Sequence, residues 1–444
     1  MNPSKKILLF GAGKSTTSLI RYLLSFAEAD CLEICIADTN INQAREKIGN
    51  SPYGMAIQLD ISNAEERKSL IKKADLVISM MPPALHILVA RDCVAEGKSL
   101  LTASYADEAM KSLNEEVARK RLLFLCEMGL DPGIDHMSAM QIIEQIRAKG
   151  GVIKKFFSHC GGLIAPESDD NPWHYKITWN PRNVVTAGMG GAKFLEDGNI
   201  SKMEYAKLFD SNRKVTTGNE QVPYLSYYPN RDSLPYISLY NLHTCSDFMR
   251  TTLRYPSFMT GWLQMIELGF TDETISYQTN GMSIGSFFHA HLKSRNLDPE
   301  KPGAFITREF REQLEFLGLH DTGTPINLGE ASIIEIMQFI LQTKLVMHRT
   351  DKDLVVMIHE FLYEWKGKNF ILHSSLFLKG IDNEETAMAK TVGLPLGIAA
   401  RKILNGEIKS KGVRIPIEQE IYSQVLPELE SLGIKFMERE EMVL

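Results

Sequence analysis

From Lys5 to about Glu127 short apolar runs alternate with amphipathic segments, a pattern that predicts a parallel sheet whose strands are joined by helical crossovers. The runs are KILLFGAG (6–13), LEICIAD (32–38), GMAIQLD (54–60), ADLVISM (74–80), KSLLTAS (98–104) and RLLFLCE (121–127). Residues 15–29, 40–48, 63–73, 84–96 and 107–120 between them carry helical spacing, with Asn63 and Asp107 as expected caps. Six strands in one doubly wound sheet follow. After MGLDPGID the texture changes to a helix at about 136–149 and then to strands rich in β-branched and aromatic residues. Residues 256–350 read as amphipathic helices, 353–380 as two strands around the turn KGKN (366–369), and 384–408 as a helix expected to return to the first sheet.

The predicted fold is therefore α/β: a Rossmann-type doubly wound parallel sheet plus an α+β domain with a helical insertion. The expected boundaries are 1–130 for the parallel-sheet domain, with 384–410 packing back on it. Residues 131–255 and 351–383 form the α+β domain, and 256–350 the insertion.

Length and charge narrow the function classes. A chain of 444 residues has room for two or three cores. A net charge of -6 leaves no basic stripe for a phosphate backbone, so no nucleic-acid partner is expected. The six cysteines (Cys31, Cys35, Cys93, Cys126, Cys160 and Cys245) have no zinc-ligand spacing, so no metal site is expected and a reducing cytoplasm fits them. The start, MNPSKKILLFGAG, is too short in apolar residues for a signal peptide, and no run is long enough to span a bilayer.

Between the first strand and first helix lies Gly11-Ala12-Gly13-Lys14-Ser15-Thr16, where backbone N–H groups and a helix N-terminus can hold a pyrophosphate. A Walker loop is excluded, because its first glycine would fall at Leu8. Asp38 ends the second strand, placing a carboxylate at the adenosine ribose and opposing a 2′-phosphate. NAD is therefore preferred, with NADP possible. Asp60 and Ile61 are expected beside the adenine, and Ser79, Met80 and Thr102 beside the nicotinamide half.

The segments LVISMMPPALH (76–86), TASY (102–105), GLDPGIDHMSAM (129–140), CGGLIAPESDDNPWHYKITW (160–179), YPNRDS (228–233), TLRYPSF (252–258) and MAKTVGLPLGIAARKILNGEI (388–408) strongly resemble the glutamate-forming saccharopine dehydrogenases, over nearly the whole chain. The resemblance implies an oxidoreductase of the CH–NH group that interconverts saccharopine and NAD(P)+ with glutamate, 2-aminoadipate 6-semialdehyde and NAD(P)H in lysine metabolism. It also implies a homodimer. Two positions depart from it: Asp38 stands where fungal relatives tend to have arginine and use NADP, and Ile164 replaces a proline.

Saccharopine carries three carboxylates and a secondary amine, so its site needs guanidinium forks and a proton acceptor. The resemblance assigns substrate contacts to Arg231, Thr252, Leu253 and Arg254, and to Ser104, Tyr105 and Asp131 beyond the fifth and sixth strands. Tyr105, Asp131 and Cys160 are the catalytic candidates. Asp135, next to His136, reads as a helix N-cap. Two other functions stay open: a carboxynorspermidine-type dehydrogenase, against which two substrate arginines argue, and an inactive dinucleotide-binding sensor.

Overall fold

The computed structural model describes residues 4–209, 212–298 and 307–443 and divides into two compact units. Unit 1 holds residues 1–152 and 384–437; unit 2 holds 153–383 and 438–444. No helix among the described residues is long and apolar enough to cross a membrane.

Unit 1 is a seven-stranded parallel sheet. Its strands are β1 (Lys5–Phe10), β2 (Leu32–Asp38), β3 (Gly54–Gln58), β4 (Leu76–Ser79), β5 (Ser99–Thr102) and β6 (Leu123–Leu125), with a short seventh, Gly412–Arg414. The order is Gly412–Arg414, β6, β5, β4, β1, β2, β3, so the winding reverses between β1 and β4. The crossover helices begin with α1 (Thr17–Phe26), α2 (Ile41–Ile48), α3 (Ala64–Lys73) and α4 (His86–Glu96). The expected 107–120 helix is two pieces, α5 (Glu108–Lys111) and α6 (Asn114–Arg119), and α7 (Ile134–Ala148) follows. Asn63 and Asp107 do cap their helices, accepting from the Glu66 and Met110 N–H groups. Strand pleating sends Leu8, Phe10, Val77, Leu100 and Phe124 to one face, where they pack with Ile71, Val89 and Cys93 of α3 and α4. Helix Ala387–Leu404 packs against α1, β4 and β5, with Leu19 and Ile78 fully buried.

The sequence puts a boundary at residue 130, whereas the first unit runs on through α7, which packs against helix Gln419–Ser431. The returning segment likewise extends past 410 to 437.

Unit 2 is built on a mixed sheet ordered Lys214–Thr216, Tyr224–Pro229, Asp247–Arg254, Val152–Ile164, Asp353–Trp365, Lys368–Lys379, Met437–Val443. Ala192–Glu196 pairs beside it with Asn199–Met203 and Arg231–Asp232. The expected hairpin turns at Lys366 and Gly367, both at positive φ (51° and 72°), as two-residue hairpins require. Of the expected insertion 256–350, residues 299–306 lie outside the described residues. Its helices Pro256–Glu267, Ile284–Ser294, Arg308–Leu317 and Ile333–Lys344 form no separate body. Trp262, Phe287, Leu314 and Met337 share one core with Leu253 and Val356 of the sheet.

Candidate functional site

The glycine loop leaves β1 at the winding switch point and enters a 3₁₀ turn, Lys14–Thr16, before α1. Gly11 sits at φ +99°, and a Cβ there would come within 2.9 Å of the Met80 carbonyl oxygen, so only glycine lets the loop lie so close to the end of β4. A Cβ on Gly13 would meet nothing within 4 Å, leaving the loop open at the helix entrance. Asp38 closes the adjacent side: its Oδ2 accepts from the Ala12 N–H at 2.7 Å and its Oδ1 from the Asn40 N–H at 2.8 Å. One loop N–H expected to face the pyrophosphate is thus committed to the ribose-side carboxylate. Lys47 of α2 donates to the Gly13 carbonyl oxygen and, at 3.0 Å, to the Thr16 hydroxyl; burial pushes its pKa down to about 8. An open glycine loop at a switch point, flanked by a strand-end carboxylate, fits a dinucleotide.

The other cofactor candidates divide. Asp60 is exposed beyond β3, and the Ser62 backbone N–H and hydroxyl hold its carboxyl below the usual range. Ile61 is a core side chain, 7% exposed and packed in the cluster under the sheet, which its apolar character favours over an open adenine edge. Ser79 and Thr102, paired across β4 and β5, are buried with their hydroxyls turned to the His86 ring, at 2.8 Å and 3.4 Å.

Beyond β5 the Ser104 hydroxyl lies 2.8 Å from His86 Nε2. Tyr105 donates to Asp131 Oδ1 at 3.4 Å. The loop between β6 and α7 is anchored from beneath: Glu127, at φ +59°, accepts from the Ala106 N–H and meets His136 Nε2 at 2.8 Å. Asp135 is not the N-cap, which is Gly133. It is the second helical residue and accepts the Gly133 N–H at 2.6 Å, still covering a helix-end donor.

In unit 2, Cys160 is buried and opposite Thr252 in the parallel register of Val152–Ile164 and Asp247–Arg254. Gly161 permits this pairing, since a Cβ there would sit 2.8 Å from the Leu253 carbonyl oxygen. Leu253, expected at the substrate, is a fully buried core residue, and its carbonyl accepts from Arg254 at 2.8 Å. Arg231 is exposed at φ +55° on its two-residue strand. Arg254 is 4% exposed, and its guanidinium carbon lies 5.4 Å from the ring centres of both Tyr175 and Phe258. Among the described residues no carboxylate pairs with it, and its Nε has no hydrogen-bond partner. A buried cation without an anion is costly unless a ligand supplies one.

Residues 129–434 match the family model described as saccharopine dehydrogenase C-terminal domain, and residues 7–125 the one described as saccharopine dehydrogenase NADP binding domain. The chain belongs to the saccharopine dehydrogenase family. The relative named saccharopine dehydrogenase (NADP(+), L-glutamate-forming) from Schizosaccharomyces pombe is 30% identical over 97% of this chain and 98% of its own length. The mitochondrial alpha-aminoadipic semialdehyde synthase of Bos taurus is 32% identical over 98% of this chain and 48% of its own. The corresponding Arabidopsis thaliana synthase is covered over 45% of its length, so this chain spans about half of such relatives. The apo saccharopine dehydrogenase (L-Glu forming) from Saccharomyces cerevisiae superposes with a TM-score of 0.84, covering 99% of this chain and 100% of that one at 27% identity.

For this saccharopine dehydrogenase family member, sequence reasoning passed over two polar residues beside the candidate site. Lys47 lies in the 40–48 segment of helical spacing, and nothing in that spacing signals a reach to Gly13. His86 closes the quoted LVISMMPPALH segment, yet its partners lie 7, 16 and 18 positions away, a separation no local motif encodes.

Proposed function

We propose that this protein catalyses the nicotinamide-dependent interconversion of saccharopine and water with L-glutamate and 2-aminoadipate 6-semialdehyde. The observation that carries the substrate class is Arg254, a buried guanidinium that no carboxylate among the described residues pairs with and whose Nε has no hydrogen-bond partner. Arg231 and Thr252 are proposed as further contacts to the acid groups. When bound, the dinucleotide supplies the hydride acceptor or donor. The chain's own residues then bind, orient and move protons. Asp131 takes an N–H of the substrate amine, Tyr105 holds the Asp131 carboxylate in place through its hydroxyl, and Ser104 meets the substrate beyond β5. Cys160 is proposed to lie near the reacting amine.

Gly11 to Ser15 would hold the pyrophosphate, and Asp38 the adenosine ribose. Although the relatives and the family model are named for NADP, we propose NAD+ here, because a carboxylate at the end of β2 opposes a 2′-phosphate. We also propose a cytosolic homodimer, to be checked by sedimentation against the 50.1 kDa chain mass. The deciding assay follows nicotinamide absorbance with saccharopine and either NAD+ or NADP+, in the wild type and in Asp38→Ala. Turnover with NAD+ that falls on losing Asp38 supports the full reading. Turnover with NADP+ alone rejects the ribose argument, and none with either cofactor rejects the activity.

A further inference from the structure

The hydroxyls of Ser79 and Ser104 are joined through one imidazole. His86, the first residue of α4, is 5% exposed and lies 2.8 Å through Nδ1 from Ser79 Oγ and 2.8 Å through Nε2 from Ser104 Oγ. Ser79 is fully buried, and the imidazole is the one partner of its hydroxyl among the described residues. Burial disfavours the charged ring and pushes its pKa down to about 4, so it is neutral at working pH and carries one N–H and one lone pair.

That chemistry fixes the direction of both bonds. A buried hydroxyl that accepts from its sole partner leaves its own proton unsatisfied, which costs more than an unused lone pair. Ser79 therefore donates to Nδ1, and the ring proton resides on Nε2. Thr102, whose buried hydroxyl accepts from the Ser104 N–H at 3.2 Å, comes no nearer Nε2 than 3.4 Å, so the two 2.8 Å contacts set the tautomer. Nε2–H then points at Ser104 Oγ, which must accept. Ser104, half-buried, is left with its own O–H proton directed to whatever binds beyond β5.

We propose that His86, anchored by Ser79, is a positioning residue that makes Ser104 accept from the imidazole and so turns the serine's own O–H proton toward a carboxylate oxygen of the substrate. This rests on the reading above that saccharopine is bound beside Ser104. With the two roles divided, Ser104 holds an acid group while the neighbouring Tyr105–Asp131 pair serves the amine.

The experiment combines a tautomer measurement with a double-mutant cycle on the full chain. Nitrogen-15 NMR of histidine-labelled protein, with the His86 signals assigned by their loss in His86→Gln, is expected to show the Nε2–H tautomer. A predominant Nδ1–H form overturns the proposal. In steady-state kinetics Ser79→Ala, which frees Nδ1 while leaving the His86–Ser104 contact in place, should raise the saccharopine KM about five- to tenfold. The same substitution should add nothing in a Ser104→Ala background. An equal Ser79→Ala penalty in both backgrounds means that it acts through packing and overturns the inference alone. A Ser104→Ala enzyme with unchanged kcat/KM for saccharopine removes Ser104 from the substrate site and takes both readings down.

Discussion

At Arg254 structure and function pull in opposite directions. Its guanidinium is buried between two aromatic rings, donates to one backbone carbonyl, and among the described residues has no carboxylate partner, so the unliganded protein carries the desolvation of a charge that two ring faces and one carbonyl offset only in part. Arg254→Met keeps the apolar stem and removes the charge. The expected result is a saccharopine KM raised about ten- to a hundredfold, the range of a lost charged hydrogen bond, with a melting temperature equal to or above the wild type. A sharp drop in melting temperature with an unchanged KM would make the guanidinium structural. His86 yields a pH prediction. Its imidazole takes up a proton near pH 6.5 when unfolded and only near pH 4 when folded, because burial outweighs the favourable field of Asp107. Between those values the unfolded state binds more protons, so stability falls as the pH drops from 6.5 to 4, by on the order of 3 kcal/mol. Denaturant midpoints across that window should show the slope in the wild type and lose His86's share of it in His86→Gln; carboxylates common to both proteins cancel.

At the scale of elements, the dinucleotide loop is held from behind by a helix from the far end of the sequence. In Ala387–Leu404 a Cβ on Gly393 would sit 2.9 Å from the Leu19 backbone nitrogen and 3.2 Å from the Ser15 carbonyl oxygen, and one on Gly397 would sit 2.6 Å from the Tyr22 ring. Two glycines four residues apart thus let the helix lie against the first turns of α1, where the loop enters. Gly393→Ala should force α1 outward, costing about 1–3 kcal/mol of stability by overpacking. It should also weaken NADH binding several-fold in a fluorescence titration, whereas Lys402→Gln, at a half-buried position near the other end of the helix, should not. The helix and strands β1 to β6 were legible because their apolar residues repeat at helical spacing or stand in unbroken runs. Gly412–Arg414 was not: three residues with one apolar side chain have no periodicity, and their strand character comes only from pairing with β6. Met437–Val443, reading MEREEMV, was masked by its charges and is a strand because the sheet edge beside Lys368–Lys379 is there to receive it. The candidate site divides in the same way. The glycine loop and Asp38 are local signals, while the isolation of Arg254 and the His86 contacts are created by tertiary packing.

At the scale of the molecule, the chain enters its first unit, leaves it at residue 152 and returns at 384. The returning segment completes the sheet beside β6 with Gly412–Arg414 and covers α1 with Ala387–Leu404, burying Leu396, Ile398, Ala399 and Ala400. Each large apolar side chain so buried contributes about 1.5–3 kcal/mol, and the sum for one helix is comparable with the whole stability of a domain. Residues 1–152 alone therefore lack a face of their core and leave a sheet edge unpaired, and they should not unfold cooperatively or bind NADH. A protein joining 1–152 through a short flexible linker to 384–437 restores both. It should melt in a single cooperative transition by circular dichroism and bind NADH within about tenfold of the full chain, since the glycine loop, Asp38 and Lys47 are all retained. Binding by the 1–152 fragment at full strength would show that the returning helix is dispensable to the loop, and would contradict the Gly393 prediction as well. Failure of the joined protein to fold would show instead that the dinucleotide unit depends on residues 153–383.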